Sequence, residues 1–162
     1  AFAGMVCPRT VWTMGRVVVE PNAASIVPGA ASFTVQMRDP DAALLDTLAE
    51  RVRVLAEEIA TERQLKLDAS EGLRFEPVAL DDRLTGALEQ AAEDIAPGRW
   101  RRLPSGALHD ASNVAAVLPS AMIFAPSIGG ISHNPNEDTR REDLSLALET
   151  LAAAVGRLSN EI

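Results

Sequence analysis

Tyrosine is missing from this 162-residue chain and aromatic residues make up only 4% of it, so a packed core has to be aliphatic and rich in alanine. Cys7 is the only cysteine, which excludes an intrachain disulfide and suits a reducing compartment, with the cytoplasm as the expected one. No apolar run is long enough to span a bilayer, so no membrane partner is expected. The opening residues, AFAGMVCPRT, have neither the basic start nor the unbroken apolar stretch of a secretory leader. Positive charge is also scarce. Fifteen Lys and Arg against 23 Asp and Glu leave a net charge of −8, which argues against a nucleic-acid partner because a phosphate backbone attracts a basic face. The densest basic cluster, RWRR at Arg99–Arg102, is too short to reverse that. Histidine is scarcer still. His109 and His133 are the only two, and no H-x-D, H-E-x-x-H or Cys/His cluster exists, so spacing alone builds no metal centre.

What is present has the organisation of a globular α/β protein, of a length that allows one domain or two small lobes. Residues 10–20, TVWTMGRVVVE, are rich in β-formers and stop at a Pro- and Gly-bounded turn, PNAASIVPG. In ASFTVQMRD, Phe33, Val35 and Met37 alternate with Thr34, Gln36 and Arg38, the period of a half-buried strand. The two runs are close enough to pair antiparallel through the 21–30 connection. From Asp41 the period changes, and Leu44, Leu48, Val52, Leu55 and Ile59 fall on one helix face behind an Asp39-Pro40-Asp41 start. LKLDASEGLRFEPVAL is expected to hold a strand, with a boundary near Pro77–Asp81. Beyond it, Leu84, Leu88, Ala91 and Ile95 stripe a helix ended by Pro97-Gly98. RWRRLPSGALHDA reads as strand and loop, residues 110–118 as a short helix, and SAMIFAPS as a strand covered on both faces. A last helix carries Leu144, Leu148, Leu151, Val155 and Leu158 on one stripe, behind a capping box formed by Thr139 and Glu142. The order is β-β-α-β followed by α-β-α-β-α.

Three groups of residues carry candidate chemistry. His133 follows Gly129-Gly130 just past the apolar segment 121–126, and ligands gather outside the carboxyl ends of strands in α/β sheets. Neutral imidazole is a common zinc ligand, and Glu137, four residues on, is placed to orient that ring or to bind by itself. The plainer reading of Asn134-Pro135-Asn136 is turn chemistry with a solvated histidine, and composition alone favours it. Ser105, His109 and Asp110 suggest a nucleophilic triad, but adjacent His and Asp point different ways and no G-x-S-x-G elbow is present, so SGALHDA reads as a loop carrying a polar cluster. Arg38, on the polar side of its strand, has a guanidinium suited to a bidentate carboxylate clamp, or to a surface salt bridge with Asp39 or a cross-strand acid.

Taken in order, these segments resemble one family. SGALHDA, MIFAPS and GISHNPNE resemble the S-G-A-G-H-D-A, M-I-F-x-P-S and G-I-S-H-x-P-x-E patterns in the carboxyl-terminal part of the zinc-dependent amidase/hydantoinase/carbamoylase family. Upstream, TMGR, PNAASIVPG and QMR are similar to that family's T-V-G-R, P-N-x-x-N-x-I-P-G and D-x-R segments. The resemblance implies a hydrolase of linear amide C–N bonds in carbamoyl or ureido amino acids, dependent on zinc or manganese and acting as a homodimer. It implies residues 79–162 as the carboxyl-terminal half of a catalytic α/β lobe. Residues 10–78 become part of a two-layer, ferredoxin-like α+β dimerisation lobe. His133 matches a metal ligand, Arg38 and Ser25 match groups that hold the substrate carboxylate, and Glu137, His109 and Gly130 match supporting positions.

Departures from the pattern qualify the match. Ser25 stands for an asparagine, Gln36 for an aspartate and Leu108 for a glycine, while Phe2 in AFAG stands where the family has a histidine. The remaining ligands and the catalytic Glu-Glu pair are expected upstream of these residues, so the chain alone is expected to be inactive. The alternative is a dimerising remnant that keeps the scaffold without the metal centre.

Overall fold

The computed structural model describes residue 4 and residues 6–160; Phe2 lies outside them. The chain divides into two compact units, Ala1–Pro77 and Val78–Ile162.

In the first unit, β1 (Val11–Glu20) and β2 (Ala30–Arg38) pair antiparallel as a two-stranded sheet. The register runs from Val11↔Arg38 to Glu20↔Ala30 and skips Gly15, a one-residue bulge that increases the local twist. The connection closes where the Gly29 N–H donates to the Glu20 carbonyl at 2.9 Å. Val35 and Met37 are half-buried as the alternation predicts, whereas Phe33 stays exposed.

Helix α1 (Ala42–Glu62) starts where Asp41 caps it, its Oδ1 accepting from the Leu44 N–H at 3.1 Å. Leu48 is fully buried on the stripe read from the sequence, with Leu44, Val52 and Leu55 half-buried beside it, and Ile59 exposed at the end. The expected strand over 65–80 is absent. Those residues have no regular structure, and the segment is held instead by Arg74, which bridges Asp46 at 2.6 Å and Glu76 at 2.7 Å. An apolar run becomes a strand only when a neighbour accepts its backbone bonds, and none does here among the described residues.

The second unit is built on two helices, α2 (Asp82–Ile95) and α4 (Arg141–Ser159), with a short α3 (Asp110–Ala115) between them. Asp81 caps α2 by accepting the Leu84 N–H at 2.8 Å. The core is alanine on alanine: Ala87 and Ala91 of α2 meet Ala154 of α4, flanked by Leu88, Ala153 and Leu158. Small side chains let the helices approach closely, which is how a chain poor in aromatic residues fills this core.

Two expectations about α4 are corrected. The capping box does not form, because the helix begins after Arg140, which has no side-chain cap, and Thr139 falls one position too early. Of the stripe read from the sequence, Leu144, Leu148, Leu151 and Val155 are exposed and Leu158 alone packs inward, with Thr150, Ala153 and Ala154 of the adjacent face. Both faces are apolar, so periodicity alone does not choose between them.

The strands expected within 99–111 and in SAMIFAPS are likewise absent. Neither segment belongs to a ladder, and the only sheet among the described residues is β1–β2. No helix among the described residues is long and apolar enough to cross a membrane.

Candidate functional site

Arg38 ends β2, opposite Val11, and its Nη2 donates to the Gln36 Oε1 at 2.9 Å, two residues back on the same side of the strand. Gln36 is a neutral acceptor at this position. It orients the guanidinium without cancelling its charge, as the aspartate of the resembling pattern would.

The neighbouring Asp39 is engaged by other groups. Its buried carboxylate accepts from the Thr10 hydroxyl at 2.6 Å, the Asp41 N–H at 2.9 Å and Arg9 Nε at 3.3 Å. Burial pushes this carboxyl up, but the Thr10 hydroxyl, the Asp41 N–H and the Arg9 guanidinium together hold it below its ordinary range. Asp39 therefore locks the strand-to-helix corner next to Arg38 to the residues that precede β1. The sequence showed Asp39 as part of a helix start and as a candidate salt-bridge partner of Arg38; Arg9 and Thr10, 30 and 29 residues away, gave no local sign that they would be the partners.

Ser25 lies in the exposed 21–30 connection, at the opposite end of the hairpin from Arg38. The eight-residue separation from Ala30 to Arg38 alone spans roughly 27 Å at the rise of an antiparallel strand. The structure therefore does not bring together the two residues matched to carboxylate binding.

In the second unit, His133 sits on a loop closed by the Ile128 N–H donating to the Asp138 carbonyl at 2.8 Å. Gly129 and Gly130 turn the chain with φ of 67° and 68°, and His133 is itself left-handed at φ 56°. The Glu137 carboxylate accepts the His133 backbone N–H at 2.8 Å, the Glu137 N–H donates to the Asn134 carbonyl at 2.9 Å, and Asn134 Oδ1 accepts the Asn136 N–H at 2.9 Å. Glu137 thus fixes the backbone beneath His133 and does not orient the ring. His133 is exposed, on a turn that its neighbours hold in an otherwise disfavoured conformation.

Gly130 supports this turn through its backbone alone, since no atom would meet a Cβ there within 4 Å. Gly130→Ala is expected to lower the stability of the second unit by about 1 kcal/mol, the cost of an L-residue at positive φ. Urea unfolding followed at Trp100 measures it.

The third cluster contains a contact that the spacing did not reveal. Ser105 Oγ lies 2.5 Å from His109 Nε2, and the His109 ring rests against Phe124 with centroids 5.4 Å apart and planes tilted by 55°. Asp110 opens α3 and makes no bond to the His109 ring among the described residues, so two members of the suspected triad meet and the third does not. The basic cluster is largely neutralised: Arg99 pairs with Asp143 at 3.3 Å, Arg102 with Glu89 at 2.6 Å, and Trp100 Nε1 donates to Glu93 at 2.7 Å.

No three of His, Cys, Asp or Glu gather closely enough to hold a metal ion among the described residues. The structure thus presents a mixed α/β scaffold with an imidazole on a braced turn in one unit and a guanidinium at a strand end in the other. Solved structures share this scaffold. An amidase of the hydantoinase/carbamoylase family from Burkholderia phymatum superimposes with a TM-score of 0.84 at 36% identity, over 99% of this chain and 38% of that one. A Burkholderia multivorans amidase of the same description gives 0.88 at 33% identity, over 96% and 38%.

The fold of this stretch is therefore the one these amidase structures share. The chain belongs to peptidase family M20/M25/M40, whose model matches residues 1–157. Among curated relatives it is 36% identical to the allantoate amidohydrolase of Escherichia coli K12 over 149 residues, 92% of this chain and 36% of that protein. It is 34% identical to the N-carbamoyl-L-amino acid amidohydrolase of Geobacillus stearothermophilus over 151 residues, 93% of this chain and 36% of that protein. The chain spans about a third of the length of the curated relatives it matches.

Proposed function

We propose that this chain forms part of a metal-dependent amidohydrolase that cleaves the linear C–N bond of a carbamoyl or ureido amino acid in the cytoplasm. The observation that carries this reading is the exposed His133 imidazole on a turn whose backbone is braced by Glu137, within the run that resembles the family's metal-binding motif. A zinc or manganese ion in such an enzyme would polarise the scissile carbonyl and activate water.

The described residues do not make that site by themselves. His133 offers one nitrogen, the nearby carboxylate is engaged by a backbone N–H, and no three-ligand group exists among them. No catalytic step is therefore assigned to this chain; its own roles are to supply a ligand and to bind substrate.

Arg38 is the substrate-binding group, a guanidinium that Gln36 orients and that meets a carboxylate with two parallel N–H bonds. Because Ser25 lies at the far end of the hairpin, Arg38 and Ser25 act on one carboxylate only if they come from two copies. This favours a homodimer with the first unit as its dimerisation lobe. The outer edges of β1 and β2, which no other strand covers among the described residues, agree with that.

The test is a hybrid in which the amino-terminal portion of the Geobacillus relative precedes this chain. The hybrid is expected to release ammonia from N-carbamoyl-L-amino acids or allantoate, and the chain alone is not. A folded, metal-loaded hybrid with no such activity sinks the proposal. That outcome would favour the second reading, a non-catalytic remnant, to which the Ser25 and Leu108 departures already point.

A further inference from the structure

We infer that Ser105 and His109 form a metal-independent nucleophilic pair that transfers acyl groups from small activated esters. Its chemistry needs neither His133 nor a metal, so it is tested apart from the amidohydrolase reading, in which His109 has only a supporting place.

Geometry carries it. Ser105 Oγ and His109 Nε2 lie 2.5 Å apart, a distance at which the hydroxyl proton can pass to the ring as Oγ attacks. The ring is set in place by its edge-tilted contact with Phe124, so its nitrogen meets Oγ without an aspartate behind it. The Ala107 N–H donates to Oγ at 3.3 Å, which favours the charge that builds on the hydroxyl oxygen as its proton leaves. Ser105 is exposed and His109 half-buried, so an ester can reach the hydroxyl while the base is held. Phe124 and Leu108, 51% and 68% exposed, put apolar surface beside the pair, which fits an aryl leaving group better than a charged one.

The chemistry balances within the pair. Oγ bonds to the ester carbonyl carbon and its proton moves to Nε2. The carbon–oxygen bond to the aryl group then breaks, and the departing phenolate takes that proton from Nε2. A water molecule attacks the acyl-serine and gives its proton to Nε2. The Oγ–carbon bond then breaks, and Oγ recovers the proton as the carboxylic acid leaves.

The experiment uses the whole chain in excess EDTA, which silences any metal-dependent hydrolysis. A fluorophosphonate probe is expected to label Ser105, located by peptide mass spectrometry, and 4-nitrophenyl acetate is expected to be hydrolysed above the buffer rate. Ser105→Ala should abolish both, while His109→Gln should slow labelling by about a hundredfold, the usual contribution of a general base. Ser159→Ala, at the end of α4, should change neither, and circular dichroism verifies that each variant keeps its helices.

Three outcomes overturn the inference: an unlabelled Ser105, labelling indifferent to His109→Gln, or ester hydrolysis that survives Ser105→Ala through an acetylated imidazole.

Discussion

Asp39→Ala is expected to destabilise the first unit by about 2–4 kcal/mol, because it removes an ionised acceptor from three donors and leaves the Thr10 hydroxyl without its partner. Arg9 is half-exposed and regains water, so most of the loss should come from Thr10 and from the freed N–H of Asp41. Asp39→Asn should recover little. An amide in the same place turns one of its donors toward groups that are themselves donors.

The same carboxylate sets an acid limit. Its folded-state pKa lies below the ordinary 3.8, so its contribution is complete above that value and disappears as pH falls through the depressed folded value. Wild-type stability should therefore fall on acidification below about pH 4, and the Asp39→Ala chain should show a shallower decline over that window. Trp12 lies in β1 and Trp100 in the second unit, so urea titrations in a Trp100→Phe background isolate the first unit. Equal acid slopes for the two proteins would show that the carboxylate does not stabilise the corner.

His133→Ala in the active hybrid is expected to weaken retained metal by at least roughly a hundredfold, since loss of a ligand exceeds the 10–100-fold cost of losing a group that only orients one. Metal analysis after dialysis measures this directly, and ammonia release should fall with it. Glu137→Gln separates the roles within the turn. The structure has the Glu137 side chain accepting a backbone N–H, a task that an amide oxygen also performs, so this change should cost far less than His133→Ala. If Glu137→Gln removed the metal as completely, Glu137 would be a ligand and its hydrogen bond to the backbone incidental. Full metal retention in His133→Ala would remove His133 from the site.

The elements that formed as read are those whose determinants are local. β1 and β2 follow from a run of β-formers, an alternating partner and a Pro/Gly-bounded connection, α1 from an aspartate start followed by a 3.6-residue apolar period, and α2 from that period alone. The braced turn at His133 was also legible, because Gly-Gly and Asn-Pro-Asn act on neighbouring backbone.

What the sequence by itself determined is therefore the set of helices, the hairpin, the family and the residues worth testing. Tertiary structure alone decided three other things. It left 65–80 and 120–127 without a ladder, because a strand exists only through a neighbour's hydrogen bonds and no local pattern names that neighbour. It chose which of two apolar faces of α4 would meet α2, a choice made by the fit of Ala154 against Ala87 and Ala91 and not by hydrophobicity. It brought Asp39 to Thr10 and Ser105 to His109 while holding Ser25 away from Arg38, because side-chain encounters depend on the path of the backbone in space.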